Sequence, residues 1–173
     1  MRPYEVAVSF KHLERDRGAG LYRRSLYTFW KRTAPAPVMM TLDASKREVC
    51  SVKRERTASP LQALVLLNDP QRVEAARMLA QRLIQKHGGN DRALRAEMFR
   101  VLTSRWPDEE EREVLTRLYE AQFEHFEQNA DQAEEFLATG DAARDGGITK
   151  SRLAAAGVLA LALMNFDECV VKR

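Results

Sequence analysis

Nine side chains between positions 23 and 69 form the densest group able to hold an anion: Arg23, Arg24, Asp43, Arg47, Glu48, Arg54, Arg56, Asn68 and Asp69. Arginine forks grip carboxylates, sulfates or phosphates through paired hydrogen bonds, and the acidic and amide groups among them could orient such a ligand or a neighbouring domain. The same residues have a structural reading, in which the arginines pair with Asp43, Glu48 and Asp69 and pin irregular backbone to the helices. A binding site keeps such groups converging on an open cleft, whereas a structural cluster turns them on each other. The structural reading is preferred.

Other groups offer less. His12, His87 and His125 share no metal-ligand spacing, and His87 falls at a predicted helix C-terminus, where positive charge is favoured. No metal site is expected. Cys50 and Cys169 lie far apart and form no C-x-x-C or C-x-x-C-H pattern, which argues against a zinc knuckle or covalent haem and for a cofactor-free chain. Both thiols are expected to be reduced and mostly buried, with a disulfide as the alternative. Asp167 and Glu168 could exchange protons, but at a helix end they read as solvated or arginine-paired. The mixture of Tyr22, Arg23, Arg24, Tyr27, Trp30, Lys31 and Arg32 resembles a single-strand nucleic-acid surface in composition. Helical spacing would instead bury Tyr22, Leu26, Phe29 and Trp30, so nucleic acid is not favoured.

The elements that must position these groups differ along the chain. Tyr4, Val6, Val8 and Phe10 alternate with polar or small residues and predict a short strand. After a polar turn, Leu21 to Lys31 reads as a helix, stopped by Ala34-Pro35-Ala36-Pro37. Val38 to Leu42 and Glu48 to Val52 look extended. From Ser59 onward the pattern is helical. Ser59, Pro60 and Gln62 spell a capped start, and Leu61, Leu64, Val65 and Leu67 predict a short central helix.

Asp69 caps the next helix, with Val73, Ala76, Leu79, Ala80 and Leu83 inward and Arg72, Glu74, Gln81 and Arg82 outward, as far as Gly88-Gly89. Asn90 or Asp91 caps another, with Leu94, Met98, Val101 and Leu102 inward. Asp108 with Glu111 opens a long helix through Leu115, Leu118, Tyr119, Phe123 and Phe126. Asp131 with Glu134 opens a short one ending at Gly140. A polar loop leads to a last, apolar helix from Ser151 to Met164. The fold class is mainly α: an irregular helical domain with a small extended or β element in its first third. A single domain is expected over residues 1–173, comprising a basic segment 1–58 and a helical bundle 59–173.

Composition agrees, with 45% hydrophobic and 31% charged residues marking a globular, soluble chain. The apolar run Leu153 to Met164 falls short of the ~20 residues that span a bilayer. Met1 to Phe10 lacks the apolar core of a signal peptide, so the chain as it stands reads as neither exported nor anchored. The net charge of +3 hides an asymmetry: residues 1–60 hold 13 Lys and Arg against 6 Asp and Glu, and residues 107–145 hold 3 against 13. Such polarity bears on partners more than on fold.

The run R-R-S-L-Y-T-F-W-K-R from Arg23 to Arg32 resembles the signature of a planctomycete-associated domain of unknown function, called PSD-one. R-E-V-C from Arg47, P-L-Q-A-L-V-L-L-N-D-P from Pro60 and V-E-A-A-R from Val73 carry the same resemblance. The closing M-N-F-D-E from Met164 is similar to the family's last helix, and the likeness covers roughly residues 1–170. The family tends to have F-D-A-P where this chain has Leu42-Asp43-Ala44-Ser45, T-P where it has Ser59-Pro60, and an aromatic residue in place of Cys169. The resemblance implies a C-terminal module of a large extracytoplasmic protein that often carries an upstream cytochrome-c-like domain. Met1 falls inside the region of likeness, which points to a truncated reading frame or a fragment.

Two functions follow as expectations. One is a non-catalytic helical module whose basic first third docks on neighbouring domains of the larger chain. The other is part of an enzyme acting on an anionic polysaccharide through the Arg/Asp/Asn cluster.

Overall fold

The most apolar run of the sequence becomes the centre of the core. The computed structural model describes residues 18–27, 30, 35–45, 50, 52–53, 57 and 59–170. Among them are two short 3-10 helices, Gly18–Tyr22 and Ser25–Tyr27, and eight α-helices. These are α1 (Pro37–Thr41), α2 (Pro60–Asn68), α3 (Pro70–His87), α4 (Asp91–Thr103), α5 (Glu109–Gln128), α6 (Ala130–Leu137), α7 (Lys150–Met164) and α8 (Asp167–Val170). The described residues contain no strand. The chain divides into two compact units, Met1–Val65 and Leu66–Arg173, with the boundary inside α2.

In the second unit α7 is surrounded by α3, α5 and α6. It is apolar on every face, with Leu153, Leu159, Leu161 and Leu163 buried alongside Ala154, Ala155, Ala156 and Ala160. A helix without a polar face has no stable place but the interior. Its small residues admit close neighbours. A Cβ added at Gly157 would stand 2.8 Å from the Phe136 ring of α6 and 3.7 Å from the Arg77 Cα of α3. Leu94, Met98 and Phe99 of α4 and Leu115, Tyr119 and Phe126 of α5 complete the core.

The helix starts are set locally, as the sequence predicts. Asp69 accepts hydrogen bonds from the Gln71 and Arg72 amides, and Asn90 accepts one from Ala93. Asp108 and Glu111 form a reciprocal capping box at 2.8 and 2.9 Å. Each cap satisfies donors left over at a helix start and contributes about 1 kcal/mol. Gly88, at φ 59, closes α3 in the left-handed region that glycine adopts at little cost.

One face of α3 departs from its predicted role. Glu74, expected outward, is 3% exposed, and Arg77 beneath it is 1% exposed. The loop after α6 covers them. The Glu74 carboxylate accepts from the backbone N–H groups of Asp141 and Ala142, and Arg77 donates to the Ala142 carbonyl at 2.6 Å. Further along, the Gln81 side chain accepts from the Asp145 amide at 2.9 Å and Gln85 donates to the Asp145 carboxylate at 2.7 Å. Positions 74, 77, 81 and 85 share one stripe of a 3.6-residue helix, so this stripe is a polar seam that fastens the loop. Arg72, also expected outward, is half-buried and donates to the carbonyls of Leu66 and Met164 at 3.2 and 2.8 Å.

Other expectations change in the same way. Val101 of α4, expected inward, is 48% exposed. Asp131 and Glu134 form no cap. The helix begins earlier, at Ala130, so the cap position falls to Asn129, which makes no side-chain bond, and Glu134 pairs with Arg144 and Lys150 at 2.8 and 2.9 Å.

In the first unit Val38 to Leu42 is helical rather than extended. Pro37 occupies the first helical position, where its fixed φ and missing N–H start α1 instead of blocking it. Of the predicted helix over residues 21–31, the described part 21–27 holds the two 3-10 turns instead, while Thr28, Phe29 and Lys31 lie outside the described residues. With three residues per turn the expected apolar stripe does not form, leaving Tyr22 at 50% and Leu26 at 70% exposure. The start of α2 is capped as predicted, with Ser59 and Gln62 bonding each other's backbone amides at 3.1 and 3.3 Å. The helix is not central, however: Leu61 and Leu64 are more than half exposed and only Leu66 is buried. The thiols also depart from expectation. Both are unpaired, but Cys50 is exposed, and Cys169 is half-buried with its Sγ 3.2 Å from the Leu102 carbonyl. The predicted strand Tyr4 to Phe10 lies outside the described residues, as does most of Glu48 to Val52.

Gly140 supplies a test of the seam. Its φ is 95°, and an added Cβ would fall within the Glu74 side chain, 2.7 Å from that residue's Cβ. Gly140→Ala should destabilise the protein by more than about 1 kcal/mol, on backbone grounds alone. Glu74→Ala, which strands two loop amides, should cost about 1–3 kcal/mol. Because the second change removes the carboxylate end of the obstacle met by the first, though not the Glu74 Cβ, urea unfolding of the double variant should show a loss smaller than the sum.

Candidate functional site

The residues singled out in the first third divide between the two units. Asp43 lies just past α1 with φ 56°, a left-handed conformation that aspartate tolerates better than most side chains. Its carboxylate accepts from the Thr57 amide at 2.7 Å, from the Thr57 hydroxyl at 2.8 Å and from Gln62 Nε2 at 3.1 Å. Gln62 Nε2 also lies 2.9 Å from the Thr41 carbonyl and 2.8 Å from Thr57 Oγ1. Asp43, Thr57 and Gln62 therefore tie the end of α1 to the start of α2. A charged acceptor makes stronger bonds than a neutral one, so Asp43 is the strong member of the knot.

Asn68 and Asp69 belong to the junction of α2 and α3. Asn68 ends α2, and Asp69 is committed to the cap of α3. Arg23 and Arg24 are exposed between the two 3-10 turns, and the Arg24 guanidinium lies 5.9 Å from the centre of the Tyr27 ring. Arg47, Glu48, Arg54 and Arg56 lie outside the described residues, as do His12, Lys31 and Arg32. Within the described part, Asp43 accepts from Thr57 and Gln62 and Asp69 from the Gln71 and Arg72 amides, while most of the arginines that the structural reading pairs with them lie outside the described residues.

The other candidates also sit in local structural contacts. His87 and Lys86, at the end of α3, both reach Glu97 of α4. The Lys86 ammonium, followed by the His87 ring, holds the Glu97 carboxyl below the usual range. His125 bonds Gln132 at 2.9 Å and stands edge-on to Phe126. Glu168 pairs with Arg105, whose guanidinium also grips Glu111 through two bonds of 2.6 and 2.7 Å. Arg105 thus joins the α4–α5 turn to α8, and its pKa rises because Glu111 first, then Glu168, bonds the charged form.

Sequence reasoning missed Thr57 and Gln62 as partners of Asp43, and Glu74 and Arg77 as buried groups. The first pair is uncharged and was not counted among groups that do chemistry. For the second, the signal was present in the helical spacing of Glu74, Arg77, Gln81 and Gln85, which also includes the acidic and basic ends of V-E-A-A-R.

Glu134 gives the clearest pH dependence. Arg144, then Lys150, lowers its pKa from the ordinary 4.5 to about 2. A depressed carboxyl contributes stability that is complete above its unfolded pKa and lost as pH falls through the folded one. The wild type should therefore lose a contribution between pH 4.5 and about 2 that Glu134→Gln never has. Thermal melts of both should differ at neutral pH and converge near the lower limit. A gap that stays constant across the acid range would contradict the assignment.

Residues 1–119 match a family described as PSD1, a protein of unknown function (DUF1553). No curated protein and no solved structure matches the chain. The matched part includes the 3-10 turns, the Asp43–Thr57–Gln62 knot, the capped junction at Asp69 and the buried Glu74 and Arg77, and the chain belongs to the PSD1 family.

Proposed function

We propose that the chain is a non-catalytic helical module that packs against other domains of a larger, extracytoplasmic, cytochrome-associated planctomycete-type protein, with its basic first third as the docking side. The observation that carries this reading is the use made of Asp43. It is the acid best placed among the candidate residues to act on a substrate, and its oxygens accept three hydrogen bonds from Thr57 and Gln62. An acid fixed in this way positions backbone.

Several features support a docking role for the first third. Its charge balance is strongly positive, Arg23 and Arg24 are exposed, and Tyr22 and Tyr27 are at least half exposed beside them. Aromatic and arginine side chains are the types enriched where protein surfaces meet. Salt-dependent attraction to an acidic face of a neighbouring domain fits that composition.

The test joins the two halves of the proposal. The region encoded upstream of this chain is expressed separately and titrated with it. The expected result is saturable binding that weakens with salt. Arg24→Glu should reduce it about tenfold, the equivalent of one charge-assisted hydrogen bond, while leaving the melting temperature within about 1 °C. Absence of binding, or turnover of an anionic polysaccharide by the isolated chain, would overturn the proposal.

A further inference from the structure

A groove of about 780 Å³ runs between α4 and the first half of α5 in the second unit. Arg92 and Arg95 stand on the α4 wall, Arg112 and Arg117 on the α5 wall. Ala93, Ala96 and Leu115 also line it. Trp106, 54% exposed, belongs to the same lining.

The charge of this groove opposes its surroundings. Residues 107–145 hold only 3 Lys and Arg against 13 Asp and Glu, and two of the three, Arg112 and Arg117, line it. Four guanidinium groups face two carboxylates there, Glu109 and Glu113. Only one ion pair links the sets within the groove, a long contact of 3.4 Å between Arg112 and Glu109. The Arg112 Nε is buried and meets no acceptor. Arg95 is oriented by lying 5.3 Å from the centre of the Tyr119 ring, an attraction that leaves its N–H donors uncommitted to a carboxylate. Arg100 packs 4.6 Å over the Trp106 ring and steadies the indole.

From this arrangement we infer that the groove docks an acidic peptide segment of a partner protein, carrying carboxylates for the arginines and an apolar side chain for Trp106 and the alanine floor. The groove is partly open to solvent, which suits a peptide segment better than a small molecule that must be mostly enclosed. Small floor residues allow a backbone to approach, and an exposed, steadied tryptophan is a typical anchor. Glu109, Glu113 and the apolar floor disfavour a continuous polyanion, which gains from an unbroken basic track. The basic first third of the chain has the wrong sign to occupy it. This site lies within residues 90–117 and is separate from the docking proposed for the first third, so either can fail alone.

The test uses the whole chain and three fluorescein-labelled probes: a short Glu/Leu peptide, the same peptide with Lys for Glu, and a heparin fragment. Anisotropy should show saturable, salt-sensitive binding of the Glu/Leu peptide and none of the Lys/Leu peptide. Binding should perturb tryptophan emission in the wild type but not in Trp106→Phe. Arg92→Glu and Arg117→Glu should each weaken it about tenfold, equivalent to the loss of one charge-assisted bond. Arg117→Gln, which keeps a polar side chain and loses the charge, should fall between with an unchanged melting temperature. No saturable binding of the Glu/Leu peptide would overturn the inference, as would binding indifferent to the arginine changes. Tighter binding of the heparin fragment through the same arginines would also overturn it, by assigning the groove to a polyanion.

Discussion

A carboxylate sealed inside a helical core is tolerated only where its hydrogen bonds are made, and Glu74 makes them with the backbone of residues 141 and 142. The rest of the second unit depends on that bond. It holds the segment that leaves α6 flat against α3, with Arg77, Gln81 and Gln85 extending the attachment toward Asp145. The loop in turn delivers Lys150, where α7 begins. Without the seam, the polar stripe of α3 would face either water or unpaired loop amides. Gly140 shows how tight the fit is, since no side chain can stand between the turn and the acid.

Much of this architecture was legible because its causes are local. The caps at Asp69, Asn90 and Asp108 involve partners two or three positions away, and the apolar faces of α3, α5 and α7 recur at helical spacing. The misreadings share the opposite property. Glu74 bonds amides 67 and 68 residues away, and Arg72 a carbonyl 92 residues away, so a rule that turns charged residues outward fails for both. Asp131 and Glu134 spell a capping box, yet the helix begins one residue before Asp131, and Glu134 pairs instead with Arg144 and Lys150 across the following loop. Pro37 was read as a stop and is a start. Of the candidate site, Asp43 and Asp69 accept hydrogen bonds from backbone amides, while the neutral Thr57 and Gln62 beside Asp43 carried no signal that a search for charge could find.

The family and the geometry bear on function at different levels. Membership of PSD1 is a statement about residues 1–119 and carries no reaction with it. The geometry adds that conspicuous polar residues within that stretch, Asp43, Asp69, Glu74 and Arg77, bond to backbone. A module of this kind is recognised by what it fastens internally and what it leaves exposed. Here the exposed groups are arginines and aromatics in the first unit and an arginine-walled groove in the second.

The position of α7 has a consequence for how the protein is made. The helix that fills the centre of the second unit is preceded in the chain by α3, α4, α5 and α6, all of which emerge from the ribosome before it. Until residues 150–164 appear, the apolar faces of α3 and α5 lack the helix that they pack against most. Folding of this unit therefore depends on long-range contacts that wait for α7, which leaves early helices open to chaperones and to wrong partners. A ribosome that stalls between α6 and α7 would hold four helices without the one that fills their centre.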